Sequence, residues 1–249
     1  MYINTIEKIC HKDKDVRLKN ICGLIRRPYR LQTDRRNTNI IIPAKKPEHV
    51  IVLTAHYDVY PKSMGYNDNG SGIATVLSIM DHVPDDVEIV FTDNEEVGGW
   101  GSQLYIAENR NRIRMNINVD VVGLGTKIYY DMADPVFEIH HQHSIFLENS
   151  YGPVSYSGVP FNDSHIFRNN SIPTVLIIAG SAPFSGIISE VWKHQHRNVN
   201  DDVLGLLSES GMLKVSSFIL DTLLLNTATK YRYEDEGQVH AQGLGAVPA

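Results

Sequence analysis

Cysteine and tryptophan are scarce in this chain, with two of each among 249 residues. Cys10 and Cys22 are twelve positions apart, too far for a disulfide within one straight helix, so we expect reduced thiols. No apolar run reaches the length of a membrane span. In residues 1–20 charged residues interrupt the apolar ones, unlike in a signal peptide. We therefore expect a soluble, cytoplasmic protein that makes no contact with a membrane.

Clustered positive charge is also lacking. Lys and Arg number 23 against 29 Asp and Glu, which gives a formal net charge of −6. The basic residues are scattered apart from Arg26-Arg27 and Arg35-Arg36. This distribution does not form the basic stripe of a nucleic-acid-binding surface, so no nucleic-acid partner is expected.

What the chain has is enough apolar sequence for one large core, at 42% hydrophobic residues. Strand-like runs alternate with helical stripes, which predicts a single α/β domain over residues 1–230. We expect a mixed, mostly parallel central sheet flanked by helices on both faces. The apolar segment Val203–Leu225 predicts a final core helix, with an interruption near Gly211. Residues 231–249 lack apolar periodicity, which predicts a disordered tail.

The first segment with candidate metal ligands begins at His56. The preceding run, Val50–Ala55, is short, β-branched and apolar, as is typical of a strand buried on both faces. His56 and Asp58 therefore follow the carboxyl end of a strand, where open α/β sheets bind ligands. An isolated His-x-Asp is more often an ordinary turn. Here the segment Asp68–Gly72 follows and leads into a helical pattern, so Asp68 is expected beside His56 in a metal site.

Two further acidic segments follow apolar strands. Glu95 and Glu96 come after the run Val87–Phe91 and are followed by a glycine-rich stretch. Neighbouring side chains in a loop diverge, so one carboxylate is expected to bind metal and the other to act as general base. A solvated acidic turn is the simpler interpretation of a bare Glu-Glu pair. Asp120 is embedded in another apolar strand, and buried charges are normally paired or bound to metal.

Four motifs are now in place: His56 with Asp58, Asp68–Gly72, Glu95 with Glu96, and the strand with Asp120. In this order and spacing they resemble the family of co-catalytic zinc aminopeptidases, which also includes glutaminyl cyclases and certain carboxypeptidases. The resemblance runs from about residue 40 to residue 202. It implies two Zn²⁺ ions, one bound by His56 and both bridged by Asp68. It also implies that Glu96 and Asp120 each ligate one ion. Glu95 would be the general base that activates the attacking water, with Asp58 supporting the ring of His56.

The last ligand of the family is a histidine followed by threonine and, four residues on, an aspartate. This chain departs from that pattern and offers His194 and His196. We choose His196 because it is nearer to the following aspartates, with His194 as the alternative. The resemblance also makes Asp163 a candidate for contacting substrate.

The sequence thus predicts a zinc-dependent exopeptidase, an aminopeptidase that acts on the N-terminal bond of peptides. A carboxypeptidase or other amide hydrolase remains open, with Arg168 or Lys193 as the group that binds a substrate carboxylate. A glutaminyl cyclase would use one zinc ion and Glu95 as a proton shuttle. A catalytically inactive peptide-binding homologue would keep the fold and lose ligands. Oligomeric state is left open.

Overall fold

The computed structural model describes residues 1–61, 63–131, 149–152, 154–155, 161–181 and 204–242. The strands are β1 (Arg30–Thr33), β2 (Thr38–Ile42), β3 (Val50–His56), β4 (Val87–Thr92), β5 (Ile113–Val119), β6 (Lys127–Asp131), β7 (Val154–Ser155) and β8 (Thr174–Gly180). The helices are α1 (Tyr2–Ile9), α2 (Lys14–Cys22), α3 (Gly72–Ile79), α4 (Trp100–Asn109), α5 (Asp163–Asn169) and α6 (Glu209–Gln242). A wide helical turn, Tyr66–Ser71, precedes α3.

The eight strands form one sheet in the order β1-β2-β4-β3-β5-β8-β6-β7. The four central strands, β4, β3, β5 and β8, are parallel to one another. Antiparallel pairs occur toward the edges, between β1 and β2, β2 and β4, and β6 and β8. This confirms the predicted mixed sheet with a parallel centre. Every residue of β3 and β4 is buried, which explains why both strands are mostly apolar.

Each face of the sheet carries its own hydrophobic core. Alternate residues of β3 point to opposite faces. Ile51 and Leu53 belong to a core that includes residues of α1, α3 and α6, whereas Val50 and Val52 belong to a core with residues of α4 and α5. Helices therefore cover both faces, as predicted.

Helix α6 differs from its prediction in two ways. It begins at Glu209 and runs without a break through Gly211, and the interruption falls before it, after a separate 3-10 helix at Leu204–Leu206. A Cβ at Gly211 would lie 1.8 Å from the carbonyl oxygen of Gly125. Glycine is required there for close approach of two backbones. The helix also continues through residues 231–242, where composition predicts a tail. Glu, Gln, Ala and Arg are good helix formers, and they allow a helix without apolar periodicity. The remaining residues, 243–249, lie outside the described residues.

Neither Cys10, which is buried, nor Cys22, which is half-buried, forms a disulfide, as expected. In the part of the chain that the structure describes, none of the helices combines the length and apolar character needed to cross a membrane.

Candidate metal centre

Three predicted ligands meet at the carboxyl edge of the parallel strands. His56 is the last residue of β3, Asp68 lies in the turn before α3, and Asp120 follows β5. His56 Nε2 is 3.0 Å from Asp68 Oδ1 and 3.4 Å from Asp120 Oδ1. One ligand atom from each residue lies within 4.8 Å of the other two. An imidazole nitrogen and carboxylate oxygens at this separation match the donor set of a zinc site.

Asp58 connects the histidine to the loop that carries both glutamates. Its Oδ1 accepts a hydrogen bond from the backbone amide of Glu95 (3.0 Å), and its Oδ2 accepts one from the amide of Glu96 (3.1 Å). Oδ1 also lies 3.4 Å from Nδ1 of His56, and the carbonyl oxygen of Asp58 lies 3.2 Å from the same nitrogen. One buried carboxylate therefore orients the imidazole ring and holds the Glu95-Glu96 loop.

The glycines after Glu96 allow this loop to turn back against α5. Gly98 and Gly99 have φ of 126° and 67°, values that side chains rarely permit. A Cβ on Gly99 would lie 2.7 Å from Cγ1 of Ile166 in α5. The loop can therefore pack this closely on α5 only if this residue is glycine.

The centre collects more negative charge than His56 can balance. Burial raises the pKa of Glu95 well above its usual range, although His56 opposes the shift. Burial and then the charge of Asp68 raise the pKa of Glu96 to about 9. Burial lowers the pKa of His56, but the charge of Glu95 and hydrogen bonds to three aspartates outweigh it and raise this pKa well above its usual value. Divalent cations would supply the missing positive charge, so the residues present fit a metal centre.

Asp163 lies beneath the centre. Its side chain is fully buried at the start of α5, and its Oδ2 accepts a hydrogen bond of 2.6 Å from the hydroxyl of Thr92. Burial raises its pKa to about 6, and its charge in turn raises the pKa of Glu95. Because the carboxylate is buried and bonded to Thr92, its contact with substrate stays a prediction.

Two contacts near the centre were missed by the sequence analysis. Lys14 Nζ donates to Oδ2 of the buried Asp93 (2.9 Å), and Asp93 is two residues before Glu95. Arg17 donates to the carbonyl oxygen of Tyr57, next to His56 (2.7 Å). Asp93 could have been singled out in the sequence, because it is an acidic residue close to Glu95 and Glu96. Neither basic residue carries a local signal, because each contact joins residues far apart in the chain.

Three residues considered in the sequence analysis, Lys193, His194 and His196, lie outside the described residues. The last ligand of the centre therefore stays a prediction. Arg168 is placed at the far end of α5, where its guanidinium donates to the carbonyl oxygen of Thr174 (3.4 Å), the first residue of β8. The amino ends of the parallel strands lie here, on the side of the sheet away from the metal centre at their carboxyl ends. Arg168 is thus poorly placed to bind the carboxylate of a substrate.

Among proteins of known function, the chain is similar to several aminopeptidases. It is 38% identical over 105 residues to aminopeptidase YwaD of Bacillus subtilis (strain 168), which covers 36% of this chain and 23% of YwaD. It is 27% identical over 191 residues to aminopeptidase Y of Saccharomyces cerevisiae, which covers 69% of this chain and 35% of that protein. The chain thus spans about a third or less of the length of these relatives.

Solved structures show the same fold. The LapA aminopeptidase of Legionella pneumophila superposes with a TM-score of 0.68 at 15% identity, covering 90% of this chain and 69% of its own. A glutaminyl cyclase from an Acidobacteriales bacterium gives a TM-score of 0.68 at 19% identity and covers 90% of both chains. A zinc aminopeptidase from Bacillus subtilis gives 0.59 at 21% identity, covering 77% of this chain and 49% of its own.

The sequence model of one family, described as Peptidase family M28, matches residues 37–203. The matched range is more than half of the chain, and it contains the histidine, the three aspartates and the two glutamates that the structure brings together. This chain belongs to peptidase family M28.

Proposed function

We propose that this chain is a zinc-dependent aminopeptidase, which hydrolyses the N-terminal bond of peptides. The observation that carries the proposal is the convergence of His56, Asp68 and Asp120 beside the loop of Glu95 and Glu96. Similarity to proteins named aminopeptidases supports the choice of reaction.

The donor set suits two zinc ions. Asp68 carries two carboxylate oxygens and would bridge the ions, with His56 on one of them. Glu96 and Asp120 would each ligate one ion, and His196 would complete the set. Two ions would also balance the buried carboxylates, since His56 alone does not.

When bound, such ions polarise the scissile carbonyl group and lower the pKa of water. Glu95 takes a proton from the attacking water and delivers it to the departing amine, as a general base and then a general acid. Asp58 holds Glu95 in place through the backbone amide of that residue, which leaves the carboxylate of Glu95 available. In an aminopeptidase the free α-amine of the substrate would also bind near one ion, which would favour cleavage at the N-terminal end of a peptide.

Acetylation of the substrate tests this preference. We expect acetyl-leucyl-anilide to be cleaved roughly 10- to 100-fold more slowly than leucyl-anilide, because a hydrogen bond to a charged group contributes about 1.5–3 kcal/mol. The measurement is kcat/KM for the two anilides under identical conditions. Equal values would indicate a general amide hydrolase, and a preference for peptides with a free carboxylate would indicate a carboxypeptidase.

A glutaminyl cyclase is the second candidate, favoured by one observation. The Acidobacteriales enzyme has a chain of similar extent, since 90% of each chain is covered by the match. In this case Glu95 would move the proton during cyclisation, and one zinc ion per chain would suffice. Incubation with a peptide that begins with glutamine separates the candidates: loss of ammonia, detected by mass spectrometry, indicates cyclisation, and release of free glutamine indicates hydrolysis.

The last ligand can be assigned by two alanine variants. We expect His196→Ala to lose one zinc ion and nearly all activity, and His194→Ala to have a mild effect. The reason is that Asp201, five residues after His196 in the sequence, would orient its ring. Zinc content per chain is the measurement, with activity as a second reading.

The reverse result would move the ligand to His194. If both variants keep two ions, His165 is the next residue to test. Its Nδ1 accepts a hydrogen bond from the amide of Asn162 (3.3 Å), so the ring is already oriented by its own helix end.

A further inference from the structure

We propose that Arg17 of helix α2 is a positioning residue of the metal centre, which sets zinc affinity by fixing the chain between His56 and Asp68. This inference rests on the proposed function. Helix α2 precedes the residues that the family model matches, 37–203, so the family motifs do not assign it a role.

The guanidinium group of Arg17 joins the two ends of the segment between these ligands. Nε donates to the carbonyl oxygen of Tyr57 (2.7 Å), and Nη1 donates to the carbonyl oxygen of Met64 (2.8 Å). Tyr57 follows His56 directly, and Met64 is four residues before Asp68. One rigid planar group therefore sets the separation of two points on the chain, each close to a ligand.

Gly65, the residue after Met64, packs closely against this group. Gly65 has φ of 64°, and a Cβ there would lie 2.9 Å from Nη1 of Arg17 and 2.3 Å from Cγ1 of Val59. The carbonyl oxygen of Gly65 accepts a hydrogen bond of 2.8 Å from the amide of Gly70. This bond links the residue beside the guanidinium to the turn that carries Asp68.

Arg17 is itself held in place. Its side chain is fully buried. Helix α2 is capped by Asp13, whose carboxylate accepts hydrogen bonds from the amides of Asp15 and Val16. One turn earlier on the same helix, Lys14 forms the ion pair with Asp93 that was described above. The helix is thus attached to both loops that supply ligands.

A lysine at this position would keep the charge but not the planar geometry. Its single nitrogen at the end of a flexible stem cannot reproduce two donors with a fixed separation. Loss of groups that orient the ligands of a metal site typically weakens metal binding 10- to 100-fold.

The test is the affinity of the metal-free protein for zinc alone, measured by competition with a chromogenic chelator. Arg17→Met removes both hydrogen bonds and keeps an apolar stem. Arg27→Met is the matched control, because Arg27 also donates to two backbone carbonyl oxygens, those of Met80 (2.8 Å) and Pro43 (3.0 Å), away from the centre. Circular dichroism establishes that each variant is folded at the temperature used.

We expect Arg17→Met to weaken zinc binding 10- to 100-fold, Arg17→Lys to give an intermediate loss, and Arg27→Met to stay within about twofold of the unmodified chain. Wild-type affinity in folded Arg17→Met, or an equal loss in Arg27→Met, would overturn the inference. If Arg17→Met does not fold, Arg17→Lys decides: a loss of threefold or more supports the inference, and unchanged affinity overturns it. If the unmodified chain does not bind zinc, the proposed function fails together with this inference. If the unmodified chain binds zinc and folded Arg17→Met binds it equally well, only this inference fails.

Discussion

Glu95→Gln is expected to keep its zinc and to lose turnover by about 10²–10⁴, the usual cost of removing a general base. Glutamine has the same shape as glutamate and retains the backbone amide that donates to Asp58, so the loop should keep its conformation. Only the ability to accept and return a proton is removed. The measurements are kcat with leucyl-anilide and zinc content per chain.

Glu96→Gln is the matched control for this experiment. It makes the same chemical change one residue along the loop, and its amide also donates to Asp58. Since Glu96 is assigned to the metal, this variant should bind zinc more weakly and lose activity for that reason, with partial recovery when zinc is added. If Glu95→Gln loses metal and Glu96→Gln keeps it, the two roles are reversed.

Removal of metal should abolish activity. We expect about two zinc ions per purified chain, no measurable hydrolysis after treatment with a chelator, and recovery when zinc is restored. The physical reason is that the proposed reaction needs cations to polarise the scissile carbonyl group and to lower the pKa of the attacking water. Zinc analysis and a titration of the metal-free protein provide the measurement, with the chelator alone as control. Full peptidase activity in metal-free protein would contradict the proposed mechanism.

The parts of the centre that the sequence predicts are those that follow strands. His56, Glu95 and Asp120 each come after an apolar run, and parallel strands bring their carboxyl ends to one edge. That reasoning needed only the local pattern and the direction of the chain. It also predicted the parallel centre of the sheet, since β3 and β4 are mostly apolar and buried throughout.

What the sequence did not predict depends on contacts between distant segments. The hydrogen bond from Arg17 to Tyr57 and the ion pair of Lys14 with Asp93 arise from where α2 packs, which no periodicity encodes. The burial of Asp163 likewise follows from the position of α5 under the loop. The length of α6 reflects the intrinsic propensity of polar residues, whereas the tail was predicted from the lack of an apolar face.

The pairing of β3 with β5 has a consequence for how the protein folds. His56 and Asp68 are close in sequence, but Asp120 joins them only because the register of these two strands places Thr54 opposite Asn118, two residues before each ligand. Pairing these strands closes a long loop, which costs an unfolded chain conformational entropy. Before β3 and β5 pair, only His56 and Asp68 are near each other. After they pair, Asp120 is close enough to bind the same zinc site. Zinc should therefore bind the native chain in preference to the unfolded one and draw the folding equilibrium toward completion by mass action.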